Sequence, residues 1–316
     1  MTRPKIPLGK TNLQIAPLGT GAWAWGDKLF WGFGSGYADS DVKSAFDASL
    51  GAGIDFFDTA EVYGSGRSEK FLGEFTRQTN QPVFIATKFF PYPWRWRQSN
   101  LLQALRGSLQ RLGLKCVDLY QLHQSFPPVP IETWMAALAE AVDAGLARAV
   151  GVSNYNAEQT RRAHATLARR GIPLASNQVK YSLLDRRIER NGVMNTCREL
   201  GVTVIAYSPI EMGLLSGKYT PENPVPGLRS RRYSRAYLAR IQPLIVRLRE
   251  IGMAHGKTPA QVALNWTMRK STVPIPGAKN ARQAQENAGA LGWRLSEDEI
   301  AVLDTASDRV SQHAQN

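Results

Sequence analysis

The feature that most restricts how this 316-residue chain can fold is an eightfold alternation of short apolar runs with amphipathic segments. The runs are LGTGAW (18–23), IDFFDTA (54–60), VFIATKF (83–89), VDLYQLH (117–123), ARAVGVSN (147–154), LASNQVKY (174–181), TVIAYSP (203–209) and TVPIPG (272–277). Each is short and apolar and is bounded by turn residues, as a buried strand should be. The segments between them carry a helical period instead. In SNLLQALRGSLQRLG, the residues Leu102, Leu105, Leu109 and Leu112 fall on one stripe, with Ser99 placed to cap the start and Gly113 the end. IETWMAALAEAVDAG, AEQTRRAHATLARRG, IERNGVMNTCRELG and ARQAQENAGALG repeat the pattern, and each stops at glycine.

Strands alternating with helices of this length require right-handed crossovers and a parallel sheet. Eight such units predict a single α/β domain over residues 1–316, a closed (β/α)8 TIM barrel. The alternative, an open doubly wound sheet, would usually carry a glycine-rich fingerprint early in the chain. In DFFDTAEVYGSGRSE (55–69), Gly64 and Gly66 supply an opening G-x-G, but Glu69 stands where a dinucleotide fingerprint needs its third glycine. Two additions to the eight units are visible. IPLGKTNLQIAPLG alternates about a turn at Lys10 to Asn12 and predicts an N-terminal hairpin capping the barrel floor. Residues 210–236, rich in Gly, Pro and Arg, predict a long loop after the seventh strand, followed by an extra helix from about Tyr237 to His255.

The formal charge of +13 raises the question of a nucleic-acid partner. The Lys and Arg residues are scattered along the chain without interleaved aromatics, so no nucleic acid is expected; the diffuse positive field suits an anionic substrate or cofactor. Cys116 and Cys197 are 81 residues apart, and none of the four histidines has a His or carboxylate four residues on, so no metal site is expected. With no apolar leader and no run of 18 apolar residues, the expectation is a cytoplasmic protein without a membrane partner, monomeric or weakly homo-oligomeric.

In a barrel of this kind the chemistry lies at the C-terminal ends of the strands. The second run ends at Asp58 and leads to Tyr63, the third ends at Lys88 and the fourth at His123. The fifth ends at Ser153 and Asn154, the sixth at Asn177 and Gln178, and the seventh at Tyr207 and Ser208. A lone His or Lys at a strand end is usually structural. Asp, Tyr, Lys and His converging on one mouth from consecutive strands is a much rarer coincidence.

At these residues a resemblance emerges. DTAEVYG, ATKF, LYQLHQS, VGVSNY, NQVKYS, AYSPIEMGLLSGKY and VPIPGAKNARQAQENAGALGW, in that order, together resemble the aldo-keto reductase superfamily across nearly the whole chain. The last block looks most like the plant and cyanobacterial branch that includes pyridoxal reductases, and more distantly like the β subunits of voltage-gated potassium channels. The resemblance implies reduction of a small-molecule carbonyl substrate with NADP(H). Tyr63 would be the general acid, Lys88 and Asp58 its support, and His123 the group that orients the carbonyl. It further implies that Ser153, Asn154 and Gln178 read the nicotinamide carboxamide and that Tyr207 stacks on the ring. The loop from Ser208 to Tyr219, with Gly213, Leu215 and Gly217, would cover the pyrophosphate, with Lys218 as counter-charge. Gly277 and Ala278 would offer backbone N–H groups to phosphate at the start of the eighth helix. Lys279 and the Gln283 position would meet the 2′-phosphate, and Glu286 and Asn287 the adenine. Many relatives carry arginine at the Gln283 position; the nearest here is Arg282, about 100° around the helix.

The chemistry is consistent with these roles. Tyrosine alone has a pKa of about 10. One ammonium about 4 Å away is worth roughly 4 kcal/mol at an effective dielectric of about 20, or about three pKa units, so Lys88 is expected to lower Tyr63. Asp58 would keep Lys88 charged. Trp25 and Trp31 after the first strand, Trp94 after the third and Phe126 after His123 predict a flat slot for aromatic or heteroaromatic aldehydes such as pyridoxal. Two other readings stay open. One is a cofactor-occupied, redox-sensing binding subunit like the channel β proteins, for which the sequence offers no obvious docking face. The other is a barrel lyase or isomerase with a Schiff-base lysine, against which the carboxylate of Asp58 argues.

Overall fold

The computed structural model describes residues 5–226, 230, 231 and 233–312. Strands β1 (Ile6–Pro7) and β2 (Gln14–Ile15) pair antiparallel as the opening hairpin. The eight apolar runs become β3 (Thr20–Gly21), β4 (Phe56–Asp58), β5 (Phe84–Phe89), β6 (Val117–Leu122), β7 (Ala147–Ser153), β8 (Leu174–Lys180), β9 (Thr203–Tyr207) and β10 (Val273–Ile275), each paired in parallel with the next. Closure comes from a parallel bridge between Gly21 and Gly277, with Gly19 N and Gly21 N donating to Pro274 O and Pro276 O at 3.0 Å each. Glycine is needed at this seam: a Cβ on Gly19 would sit 2.6 Å from the Phe56 ring, and one on Gly21 2.9 Å from Ile275 O.

The outer layer consists of α1 (Asp39–Gly51), α2 (Arg67–Arg77), α3 (Gln98–Leu112), α4 (Ile131–Asp143), α5 (Ala157–Ala168), α6 (Arg187–Arg190), α7 (Val193–Leu200), α8 (Arg235–His255), α9 (Pro259–Arg269), α10 (Ala281–Ala288) and α11 (Glu297–Gln312). Gly113 ends α3 in a left-handed conformation, but Asn100 rather than Ser99 caps its start, accepting the N–H groups of Trp96 and Arg97 at 3.1 Å. IERNGVMNTCRELG divides into α6 and α7 because Gly192, at φ +84°, interrupts the spiral. The extra helix after the seventh strand is α8. The final helix α11 was not expected. Its signal was present in the sequence as a capping box, Ser296 N donating to Glu299 Oε2 and Glu299 N to Ser296 Oγ.

The period of two along each strand sorts the barrel interior into levels. Phe56, Phe84, Ala86, Leu119, Ala149, Ile205, Val273 and Ile275 pack with Leu8, Leu13 and Ile15 of the hairpin. Gly9 N donates to Thr203 Oγ1 at 2.7 Å where β9 begins, so the hairpin plugs the N-terminal end of the barrel. Two residues further along their strands stand Asp58, Lys88, Gln121 and Tyr207, and the interior turns polar. Replacing Leu8, fully buried in the plug, by alanine is expected to cost about 2–5 kcal/mol in urea unfolding while leaving kcat intact, since the mouth is at the other end. A loss below about 1 kcal/mol would show that the hairpin contributes little to the core.

Candidate active site

Lys88 is fully buried and Asp58 is 2% exposed; Lys88 Nζ lies 2.5 Å from Asp58 Oδ2. The ammonium also donates to Thr59 O at 2.8 Å and to the Tyr63 hydroxyl at 3.4 Å. The second carboxylate oxygen, Asp58 Oδ1, accepts from Gln178 Nε2 at 2.7 Å and Gln121 Nε2 at 3.4 Å. Tyr63 reaches this group from a tight turn in which Gly64, Ser65 and Gly66 all have positive φ. A Cβ on Gly64 would come within 2.8 Å of the Gly26 backbone, so the G-S-G stretch serves the turn beneath Tyr63. His123 meets the Tyr63 ring edge-on, with centroids 5.8 Å apart, and its Nδ1 is buried with no hydrogen-bond partner among the described residues.

Electrostatics follow from this packing. Burial, and then the Asp58 charge, push the Tyr63 hydroxyl well above its ordinary value of 10. The lowering expected from Lys88 is therefore reversed: burial dominates, and the ammonium is matched at contact distance by a carboxylate. Burial also lowers Lys88, opposed by Asp58 and Glu69. His123 is pushed down to about 3, by burial first and by Lys88 second. Near neutral pH the site thus holds a protonated phenol, a neutral imidazole and an internally balanced ion pair.

A cleft of about 730 Å³ opens above these groups. Asp58, Tyr63, His123, Ser153, Asn154, Gln178, Tyr207, Ser208, Gly213, Lys218, Gly277, Lys279, Gln283, Glu286 and Asn287 all line it. Asn154, at φ +60°, donates to His123 O and Ser153 Oγ and accepts the Tyr207 hydroxyl at 3.0 Å, which fixes that ring. Ser208, Glu211 and Met212 are left-handed, and this strained turn is pinned by buried Glu211, whose Oε1 accepts from Lys180 Nζ at 2.7 Å.

Other strand-end and loop residues lie away from the cleft. Leu215 is fully buried beneath the loop, and Gly217 packs on Ile245 and Arg249 instead of facing the cleft. Asn177 points outward to Tyr155 O and Thr160, because its neighbour Gln178 takes the inward position. Trp25 lies in the core against Phe57 and Phe75, with Nε1 donating to Ala278 O at 2.8 Å, so it does not line the cleft. Trp94 is 67% exposed, stacked on Tyr92 at 4.8 Å. Phe126 walls a separate cavity of about 530 Å³ with Phe90, Tyr92, Trp96 and Pro128. Trp31 does line the cleft, and so do Trp23 and Arg282. Gln121 was missed; stepping inward by two from Leu119 would have found it.

Residues 17–308 match the Aldo/keto reductase family. The chain is 40% identical over 316 residues to a chloroplastic pyridoxal reductase of Arabidopsis thaliana, covering 96% of this chain and 86% of that protein. It is 34% identical over 274 residues to yakc of Schizosaccharomyces pombe, described as an NADP(+) aldo-keto reductase, covering 81% and 79%. Among solved structures it is similar to the thermostable aldo-keto reductase Tm1743 in complex with the inhibitor epalrestat, at 30% identity and a TM-score of 0.78 over 96% of this chain and all of that one. The chain belongs to the aldo-keto reductase family and is an NAD(P)H-dependent oxidoreductase.

The position of His123 sets a pH dependence. Its folded pKa of about 3 lies below the unfolded value of about 6.5, so the unfolded chain takes up the proton first. The stability that neutral His123 contributes is complete above pH ~6.5 and falls as the pH drops toward ~3. NMR titration should find this ring neutral at pH 5, and His123→Gln should flatten the acid limb of the stability curve. A ring pKa near 6.5 would contradict the burial argument.

Proposed function

We propose that this protein reduces aldehydes and ketones to alcohols with NADPH, and that flat aromatic or heteroaromatic aldehydes such as pyridoxal are its preferred substrates. The observation that carries this reading is the placement of Tyr63, 3.4 Å from Lys88 Nζ and edge-on to His123 at the floor of a cleft that also presents Lys218, Lys279 and Arg282.

The residues fit a phosphorylated dinucleotide. At Gly277 a Cβ would meet nothing closer than Gly21 O at 3.7 Å, so this part of the cleft wall is open to a close-lying phosphate. Lys218, Lys279 and Arg282 match its charge, and Asn280 caps α10 beside them. Gln178 has committed Nε2 to Asp58, which leaves Oε1 as the acceptor for a carboxamide N–H. Tyr207, held by Asn154, offers a ring face. When bound, the nucleotide supplies the hydride to the carbonyl carbon.

The chain's own groups manage the proton. Tyr63, kept protonated by burial, donates to the carbonyl oxygen as negative charge develops there. Neutral His123 gives one N–H to the same oxygen and fixes its direction. Lys88, held by Asp58, then faces the phenolate left on Tyr63 and restrains its charge. We place a flat substrate against Trp23, Trp31 and Tyr63, which line the cleft together: Trp23 meets Trp31 edge-on at 5.4 Å and lies 6.2 Å from the Tyr63 ring. The resemblance to a pyridoxal reductase supports the same substrate class. Cys116 and Cys197 are free thiols, which suits the cytoplasm as the compartment we propose. We read the chain as one catalytic barrel domain.

Tyr63→Phe should bind NADPH as tightly as the wild type in a titration yet lose about 10²–10⁴ in kcat, the usual worth of a placed acid. Unchanged turnover on a good aldehyde would remove Tyr63 from this role. Pyridoxal and substituted benzaldehydes should exceed glyceraldehyde and aldoses in kcat/KM by about 1–3 kcal/mol of transition-state discrimination. If glyceraldehyde is the better substrate, the aromatic slot does not select.

A further inference from the structure

Lys279 stands where the phosphate half of the cleft meets the aromatic half. It lies between β10 and α10, and its Nζ donates to Trp31 O at 2.8 Å. The same ammonium is 4.9 Å from the Trp31 ring centroid and 4.3 Å from that of Tyr37. Lys279 and Trp31 both line the cleft, and the Trp31 ring abuts Trp23, which leans toward Tyr63. The loop bearing Trp31 is otherwise tied down by its own residues: Asp27 Oδ1 accepts the N–H groups of Phe30 and Trp31, and the Tyr37 hydroxyl donates to Ala24 O. The lysine adds a tie across the barrel seam, from the loop after β10 to Trp31.

We propose that Lys279 serves nucleotide and substrate slot jointly: the ammonium that meets the 2′-phosphate also fixes Trp31, so the choice of NADPH over NADH sets how tightly the slot holds a flat aromatic ligand. This rests on the placement of the 2′-phosphate at Lys279 made above. An ammonium has three N–H donors, so Lys279 can keep Trp31 O and still donate to a phosphate, whose charge then fixes where Nζ lies. Trp31, bonded to that nitrogen through its carbonyl and in contact with it through its ring, is ordered along with it. A slot wall ordered in advance binds a flat ring at a smaller entropic cost, and the coupling is reciprocal: whatever orders Trp31 tightens the 2′-phosphorylated nucleotide by the same factor.

Isothermal titration with naphthalene-2-carboxamide, a flat ring whose amide carbonyl accepts no hydride, tests this on protein saturated with NADP+ or with NAD+. The wild type should hold the amide about three- to tenfold more tightly in the NADP+ complex, the range for one cation–π contact and one hydrogen bond acting across two sites. In Lys279→Met the two affinities should become equal, and in Trp31→Leu the ratio should fall toward one. Equal affinities in the wild type, or a ratio that survives in Lys279→Met, would overturn the coupling. Nucleotide affinities of the same variant separate the two claims. If Lys279→Met weakens NADP+ no more than NAD+, the 2′-phosphate placement fails and the coupling fails with it. If it weakens NADP+ selectively while the amide ratio stays unchanged, only the coupling fails.

Discussion

A single buried ion pair, Lys88 with Asp58, governs how the mouth of this barrel is built. An ammonium and a carboxylate removed from water each carry a penalty of several kcal/mol, which their attraction offsets only if the remaining donors and lone pairs are also satisfied. Here they are: the ammonium reaches Thr59 O and the Tyr63 hydroxyl, and Asp58 Oδ1 takes the amides of Gln178 and Gln121. Gln121 is oriented in turn by Ser176, whose Oγ donates to its Oε1 at 3.3 Å. The demand for partners explains why the interior changes from Phe56, Phe84 and Leu119 to polar side chains within one strand repeat.

The pair also sets the protonation states around it. A lone ammonium at the position of Lys88 would pull the tyrosine down by about three pKa units. With Asp58 at 2.5 Å, Tyr63 sees mainly a dipole, and burial decides its state. The phenol therefore stays protonated near neutral pH. His123, largely enclosed and under the influence of the Lys88 charge, stays neutral through burial first and that charge second. Protonated phenol, neutral imidazole and balanced pair are thus three results of burial around one ion pair.

Much of this was legible in the sequence, and the failures have physical causes. Strand periodicity located Asp58, Lys88 and His123 because each ends a run whose inward alternation is unbroken. Trp23 and Trp25 were harder: β3 has only two residues, and Trp25 N turns back to Ala22 O, so alternation ends at Gly21 and the second tryptophan enters the core. Leu215 and Gly217 lie in a turn whose direction is set by left-handed Ser208, Glu211 and Met212, a conformation that no local pattern announces. Trp94 and Phe126 sit on long excursions after their strands, where facing is set by aromatic contacts such as Tyr92 on Trp94. Lys88 was legible as a residue, but its effect on Tyr63 was not, since that depends on the distance to Asp58.

The most direct test of this account is a stability cycle across the pair, measured by urea unfolding of wild type, Asp58→Asn, Lys88→Met and the double variant. If the two charges form one unit, each single change leaves the other charge buried without its partner and costs about 3–5 kcal/mol, while the double change costs no more than either alone. Losses that simply add would mean that the two residues stabilise the barrel independently, and that the ion pair is not the constraint around which the site is organised.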